Sequence, residues 1–169
     1  TQVLTLFPYT TLFRSPELKL LLAALAGTLL LGMTGAVTAL GDTLFPAASL
    51  AEGMAQDFSP TAHFLVRLRV VHPTLAVLVV ILLLLTAGVN AKLRPSATTR
   101  RLAMAVAGLA VTQLAAGLVN LLLLAPIGMQ LVHLLLADAL WIALVLLAAS
   151  SWAWSDGSAS TPGARPAAG

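Results

Sequence analysis

Cysteine is absent from all 169 residues. That removes disulfides, thiolate-bound metals and the covalent attachment of a c-type haem, and it leaves the redox compartment unread. Charge is scarce as well: nine Lys and Arg and six Asp and Glu make up 9% of the chain, against roughly 25% in soluble domains. With 59% hydrophobic residues and a mean hydropathy of +0.98, the chain reads as an integral membrane protein with the lipid bilayer as its partner. The net charge of +3 is small, and the basic residues lie near the ends of apolar runs, where they orient spans and need no nucleic acid to neutralise. A nucleophile triad, a phosphate-binding glycine loop and a pair of carboxylates spaced for acid–base work are all missing.

What is present is a set of four long apolar runs, at residues 18–40, 63–89, 102–124 and 131 to about 152. Each reaches the ~20 residues that cross a hydrocarbon core. They predict an all-α integral membrane protein, four transmembrane helices in an antiparallel up-down bundle occupying residues 16–154. Between the first two runs, residues 41–62 carry Asp42, Glu52 and Asp57 with no basic residue, and Ser49 with Glu52 has the spacing of a helix cap. A short surface helix over 50–56 is expected there, Leu50 and Met54 on its apolar side. Residues 90–101 hold four basic residues and no acid, which places that loop, and with it both chain ends, on the cytoplasmic side. Residues 125–130 form a tight uncharged turn, and Trp152 and Trp154 stand as an interfacial belt.

Two end segments are set apart. Residues 5–15, TLFPYTTLFRS, look like the in-frame translation of a sequencing-library adapter, so residues 1–15 are expected not to belong to the fold and a further natural segment is expected upstream. Residues 155–169 are small, polar and rich in Pro and Gly, and read as a disordered tail.

The spans carry polar groups that hydrocarbon tolerates only for a reason. His72 stands two residues past the start of the uncharged run 70–89, and His133 two residues past Leu131. On helices entering from the same face, both imidazoles lie at equal depth, about 3 Å below the outer boundary. Two imidazoles at one level on different helices suit axial ligation of a haem, whose apolar ring fills the slot between helices. Arg69, one turn nearer the water on the face of His72, is placed to meet a propionate. Arg67 falls on another side, beside His63. Taken singly, either histidine is equally an interfacial hydrogen bonder, and Arg67 and Arg69 equally snorkel to headgroups. His63 faces away from His72 and reads as a loop-edge residue. Pro73 is expected to kink the second span beside His72. Asp138, about 7 Å deeper than His133 and turned away from it, is expected to bond Gln113 or Asn120 of the third span, with proton relay the alternative role.

The fourth span, LVHLLLADALWIALVLL, resembles the last conserved helix of haem A synthase. TGAVTALGD followed by Phe45 and Pro46 is similar to that family's Thr/Gly-rich helix end, and RLRVVHP to the segment opening its next helix. The resemblance covers residues 18–152. It implies an eight-helix enzyme of two four-helix halves, of which this is the carboxy-terminal, haem-b-binding half, with His72 and His133 as iron ligands. The whole enzyme oxidises a methyl group of haem O to the formyl group of haem A for terminal oxidases. Haem O is then a substrate of the other half, and the family's Glu-x-x-His-Arg pattern has no match here, since Arg69 stands three before His72 and Pro73 follows it. The electron donor is not indicated; the expected location is the inner (plasma) membrane of a prokaryote. Two other readings stay open on the residues alone: a stand-alone bis-histidine b-type cytochrome, and a cofactor-free membrane scaffold.

Overall fold

The computed structural model describes residues 16–94 and 96–159; residues 1–15, 95 and 160–169, and the side chains of residues 153–159, Trp154 among them, lie outside what it describes. Six helices follow in order: α1 (Pro16–Leu44), α2 (Leu50–Asp57), α3 (Phe64–Leu68), α4 (Val71–Leu93), α5 (Ala97–Leu122) and α6 (Ile127–Ala159), with no strand among the described residues. Lipid offers no hydrogen-bond partner to a backbone, so apolar runs of this length satisfy their N–H and C=O groups within a helix. Four stretches are long and apolar enough to cross a membrane: Pro16–Leu44, Phe64–Leu93, Ala97–Leu122 and Ile127–Trp152.

The boundaries depart from expectation at four places. α1 runs on to Leu44, so Gly41 and Asp42, expected in the loop, are helical. The second span is broken: α3 ends at Leu68, and α4 restarts at Val71. Pro73 is the cause, because it has no N–H to give to the carbonyl four residues back, at Arg69. The disruption therefore surfaces a turn earlier than a kink at Pro73 itself, and proline ends up in the first turn of α4, where a missing N–H costs nothing. The turn expected over 125–130 is shorter, because α6 begins at Ile127. It is paid for by left-handed backbone at Leu124 (φ 58°) and Ala125 (φ 53°), secured by the Ala125 N–H on the Asn120 carbonyl at 2.8 Å. At the far end α6 extends to Ala159, into the stretch expected as a tail.

The surface helix α2 forms much as anticipated. Ser49 Oγ accepts the Glu52 N–H at 3.2 Å, and Glu52 reaches back to the Ala48 N–H at 2.9 Å. Leu50 and Met54 remain exposed on it.

The pairing of the long helices is read from their contacts. Along α1 and the α3–α4 span, Glu17 meets Arg94 at 3.0 Å, Gly27 lies against Val79, Thr34 against His72 and Gly41 against Arg69. Along α5 and α6, Thr99 meets Ser150, and Gln113 and Gly117 meet His133. Asn90 ties α4 to α6: fully buried, it donates to the Thr86 carbonyl at 2.9 Å and accepts from Ser151 Oγ at 2.9 Å. Replacing Asn90 with leucine should cost about 1 kcal/mol of bundle stability, the range of interhelical polar contacts in lipid, measurable by thermal unfolding in detergent.

The packed core is built from Leu21 and Ala24 of α1, Val79 to Ala87 of α4, Ala103 to Ala110 of α5 and Leu140 to Leu147 of α6. It occupies one half of the bundle. Its first member on α4, Val79, is seven residues past His72; its first on α6, Leu140, is seven past His133. The core thus stops two turns, about 10 Å, short of both histidines.

Candidate functional site

Beyond the core, the interior is lined by small and polar side chains in two matching sets. On α4, the His72 ring lies against Gly35 of α1 so closely that a Cβ on that glycine would stand 3.0 Å from Cε1. On α6, the His133 ring lies against Gly117 of α5, again with 3.0 Å from such a Cβ to Cε1. Each histidine is thus received by a glycine of the preceding long helix.

His72 is held through Nδ1. Thr34 Oγ1 lies 3.1 Å from that nitrogen and 2.9 Å from the Leu31 carbonyl, one hydroxyl shared between the ring and its own helix. A partner at Nδ1 orients the ring and leaves Nε2 facing away from it, the arrangement of a metal-ligating histidine held by a second group. His133 is held differently. The Gln113 amide nitrogen donates to the His133 carbonyl at 3.0 Å and contacts Nε2 at 3.3 Å, while His133 Nδ1 and Gln113 Oε1 are both buried with no partner. Orphaned polar atoms of that kind cost about 1–3 kcal/mol each. They mark His133 as incomplete in the protein alone.

The arginines do not take the places expected of them. Arg69 is committed inside the protein: Nε donates to Asp57 Oδ1 at 2.9 Å, Nη1 to Asp42 at 3.1 Å and the Phe45 carbonyl at 3.2 Å, and Nη2 to Gln56 at 3.1 Å, while Nη2 also lies 2.8 Å from the same Asp57 oxygen as an ion pair. Every guanidinium nitrogen is engaged within the protein. The sequence pattern missed this because Asp42 and Asp57 reach Arg69 from α1 and α2, far off in the chain. Arg67 is exposed and bonds the Pro60 carbonyl. His63 caps α3, its Nδ1 accepting the Leu65 N–H at 3.3 Å, and stacks with Phe45 and Phe64 at the rim. Asp138 is exposed, and bonds neither Gln113 nor Asn120. Gln113 is committed to His133 instead, and five residues from His133 the helix has turned Asp138 out of the bundle.

Chemically, the arrangement presents two imidazoles from two helices above a packed core. Among the described residues no group of three or more His, Cys, Asp or Glu gathers as a metal cage. Two axial nitrogens alone suit a metal that brings its own equatorial ligands, and a porphyrin does so. The donor set, the Thr34 contact that orients His72 and the two glycine cradles fit such a group.

The sequence model of the family described as cytochrome oxidase assembly protein matches residues 8–145. The chain belongs to this family. It is the haem A synthase family, and the match opens inside the adapter-like stretch and covers three spans and most of the fourth. Two curated relatives, each named protoheme IX farnesyltransferase and each from a strain of Thermus thermophilus, are 52% identical over 131 residues, which is 78% of this chain and 22% of theirs. The chain therefore spans about a fifth of the length of the curated relatives it matches. No solved structure matches it. Four apolar helices and membership of this family make the chain a multi-pass membrane protein of the cytochrome oxidase assembly kind.

Proposed function

We propose that this chain is the haem-b-binding half of a haem A synthase, with His72 and His133 as the axial ligands. The observation that carries the reading is the pair of histidine–glycine contacts, His72 on Gly35 and His133 on Gly117, set two turns above the end of the core. The spans form an antiparallel up-down bundle, supported by contacts that descend along α4 as they ascend along α1, and along α6 as they ascend along α5. Both ends and the basic loop face the cytoplasm of a prokaryotic cell, and the Arg69 cluster faces outward.

A haem held by two histidines has no open iron position and supplies one-electron transfer. The chain's own part is to orient His72 through Thr34, to seat His133 on Gln113, and to exclude water with the core below. Oxidation of the haem O methyl group belongs to another half of the enzyme, consistent with the absence here of the Glu-x-x-His-Arg pattern. The Thermus relatives' name concerns another modification of protohaem, so their shared fifth is best taken as common haem-handling architecture.

The test is a reduced-minus-oxidised absorption spectrum of membranes holding the full chain, beside His72→Ala and His133→Ala at equal expression. A low-spin b-type signal is expected in the parent, lost or converted to high spin in either variant. A folded parent without haem, or two variants with an unchanged signal, would sink the assignment.

A further inference from the structure

The two glycines that receive the histidines share a further feature. Three residues beyond Gly35 on α1 is Thr38; three residues beyond Gly117 on α5 is Asn120. A spacing of three keeps each on the face of its glycine, about 4.5 Å further along the axis. In both cases the step leads away from the Asn90–Ser151 contact and from the core, toward the end of the bundle that holds Arg69. Both carry a buried oxygen with no hydrogen-bond partner, Thr38 Oγ1 and Asn120 Oδ1. Neighbouring polar side chains do not share this condition: Thr28, Thr43, Thr74 and Thr112 each return their hydroxyl to a carbonyl of their own helix. Thr38, on the same kind of helix, forgoes that bond.

We propose that Thr38 and Asn120 are the polar edge of the ligand chamber and hydrogen-bond the propionate carboxylates of the haem held by His72 and His133. The inference rests on the haem reading above and replaces the role expected of Arg69. Three observations converge on it. Every guanidinium nitrogen of Arg69 is engaged by Asp42, Asp57, Gln56 or the Phe45 carbonyl, so a carboxylate at this level needs another partner. Thr38 lies on α1 between the His72 contact at Thr34 and Gly35 and the Arg69 contacts at Gly41 and Asp42, the position of a porphyrin edge pointing to the wet end. The Asn120 side chain makes no hydrogen bond, so nothing opposes turning its NH2 toward a carboxylate. A hydroxyl and an amide are neutral donors. They hold a carboxylate without adding a second buried charge beside the one Arg69 already brings.

The experiment uses the full chain in detergent, filled with haem or with haem dimethyl ester, whose carboxylates are blocked. Thr38→Val and Asn120→Leu keep shape and remove the donors; Thr38→Ser keeps the hydroxyl, and Thr112→Val is an exposed control. With free-acid haem, both donor-free variants should retain the low-spin band position of the parent, lose haem to excess apomyoglobin about tenfold faster, and titrate at a lower midpoint potential, because an unscreened carboxylate favours ferric iron. Thr38→Ser and Thr112→Val should behave as the parent. With the dimethyl ester, parent and variants should release at one common rate. Parental release rates and midpoints in both variants would overturn the proposal and leave the two oxygens to water. A difference that persists with the ester would overturn it too, as the mark of a structural role. Either result leaves the histidine ligation standing; only a parent without haem removes both.

Discussion

Gly35→Ala and Gly117→Ala should each cost the protein most of its haem, a drop of about tenfold or more in haem per protein, while Gly32→Ala and Gly108→Ala leave it unchanged. Alanine is a better helix former than glycine by about 1 kcal/mol, so on propensity alone all four substitutions stabilise their helices. The sign reverses only where the new methyl has nowhere to go. At Gly32 and Gly108 it meets nothing within 4 Å; at Gly35 and Gly117 it arrives 3.0 Å from the Cε1 of His72 and His133. Each ring must move by a few tenths of an ångström, and Cε1 lies between the two nitrogens, so the ligating nitrogen moves with it. Axial ligation tolerates little displacement. The check is the ratio of haem to protein, with the low-spin band, at equal expression; equal ratios across the four variants would mean that the glycines do not position the imidazoles.

Arg69→Ala should be the most destabilising single change, about 3 kcal/mol or more. The side chain is 8% exposed, and its removal leaves Asp42 and Asp57, at 31% and 19%, facing each other without the cation between them. Breaking one partner out of a buried ion pair costs about 3–5 kcal/mol, and the partial exposure of the two carboxylates argues for the lower end. The consequence is mechanical. Arg69 is where α1, α2, the Phe45 turn and the α3–α4 joint meet, so without it the outer loop comes free. Arg69→Lys keeps the charge but brings three N–H groups to four acceptors and should recover only part of the loss. Thermal unfolding in detergent measures both. The fraction still folded should release haem to apomyoglobin at the parent's rate, because the hydrogen bonds of Arg69 go to the protein. Faster release with parental stability would return Arg69 to the propionate role.

The residues most legible in the sequence were those whose meaning is local. The four spans follow from runs of about 20 apolar residues, and the α2 cap from Ser49 and Glu52 three apart. His72 and His133 stood out because an imidazole in hydrocarbon is costly. Pro73 announced a disturbance, although its place was misjudged by a turn: the lost hydrogen bond belongs to the carbonyl of Arg69. Arg69 was misread for a different reason. Its spacing from His72 was right, but spacing along one helix says nothing about which carboxylates approach from others. Asp138 failed the same way, since its expected partner Gln113 was already taken by His133. Thr38 gave no sequence signal at all, because threonine in an apolar helix ordinarily bonds its own backbone.

By itself, then, the sequence determined a four-span membrane protein and set a histidine near the start of two of its spans, because hydrophobic length and local spacing are properties of the chain alone, while its motifs carried the resemblance to haem A synthase. Only the tertiary structure decided which side chains are spent and which are free: Arg69 closed by Asp42 and Asp57, His72 turned by Thr34, Gly35 and Gly117 vacated for two rings, Thr38 and Asn120 left open. A hydrogen-bond donor can be given only once, and who receives it depends on which helices lie side by side.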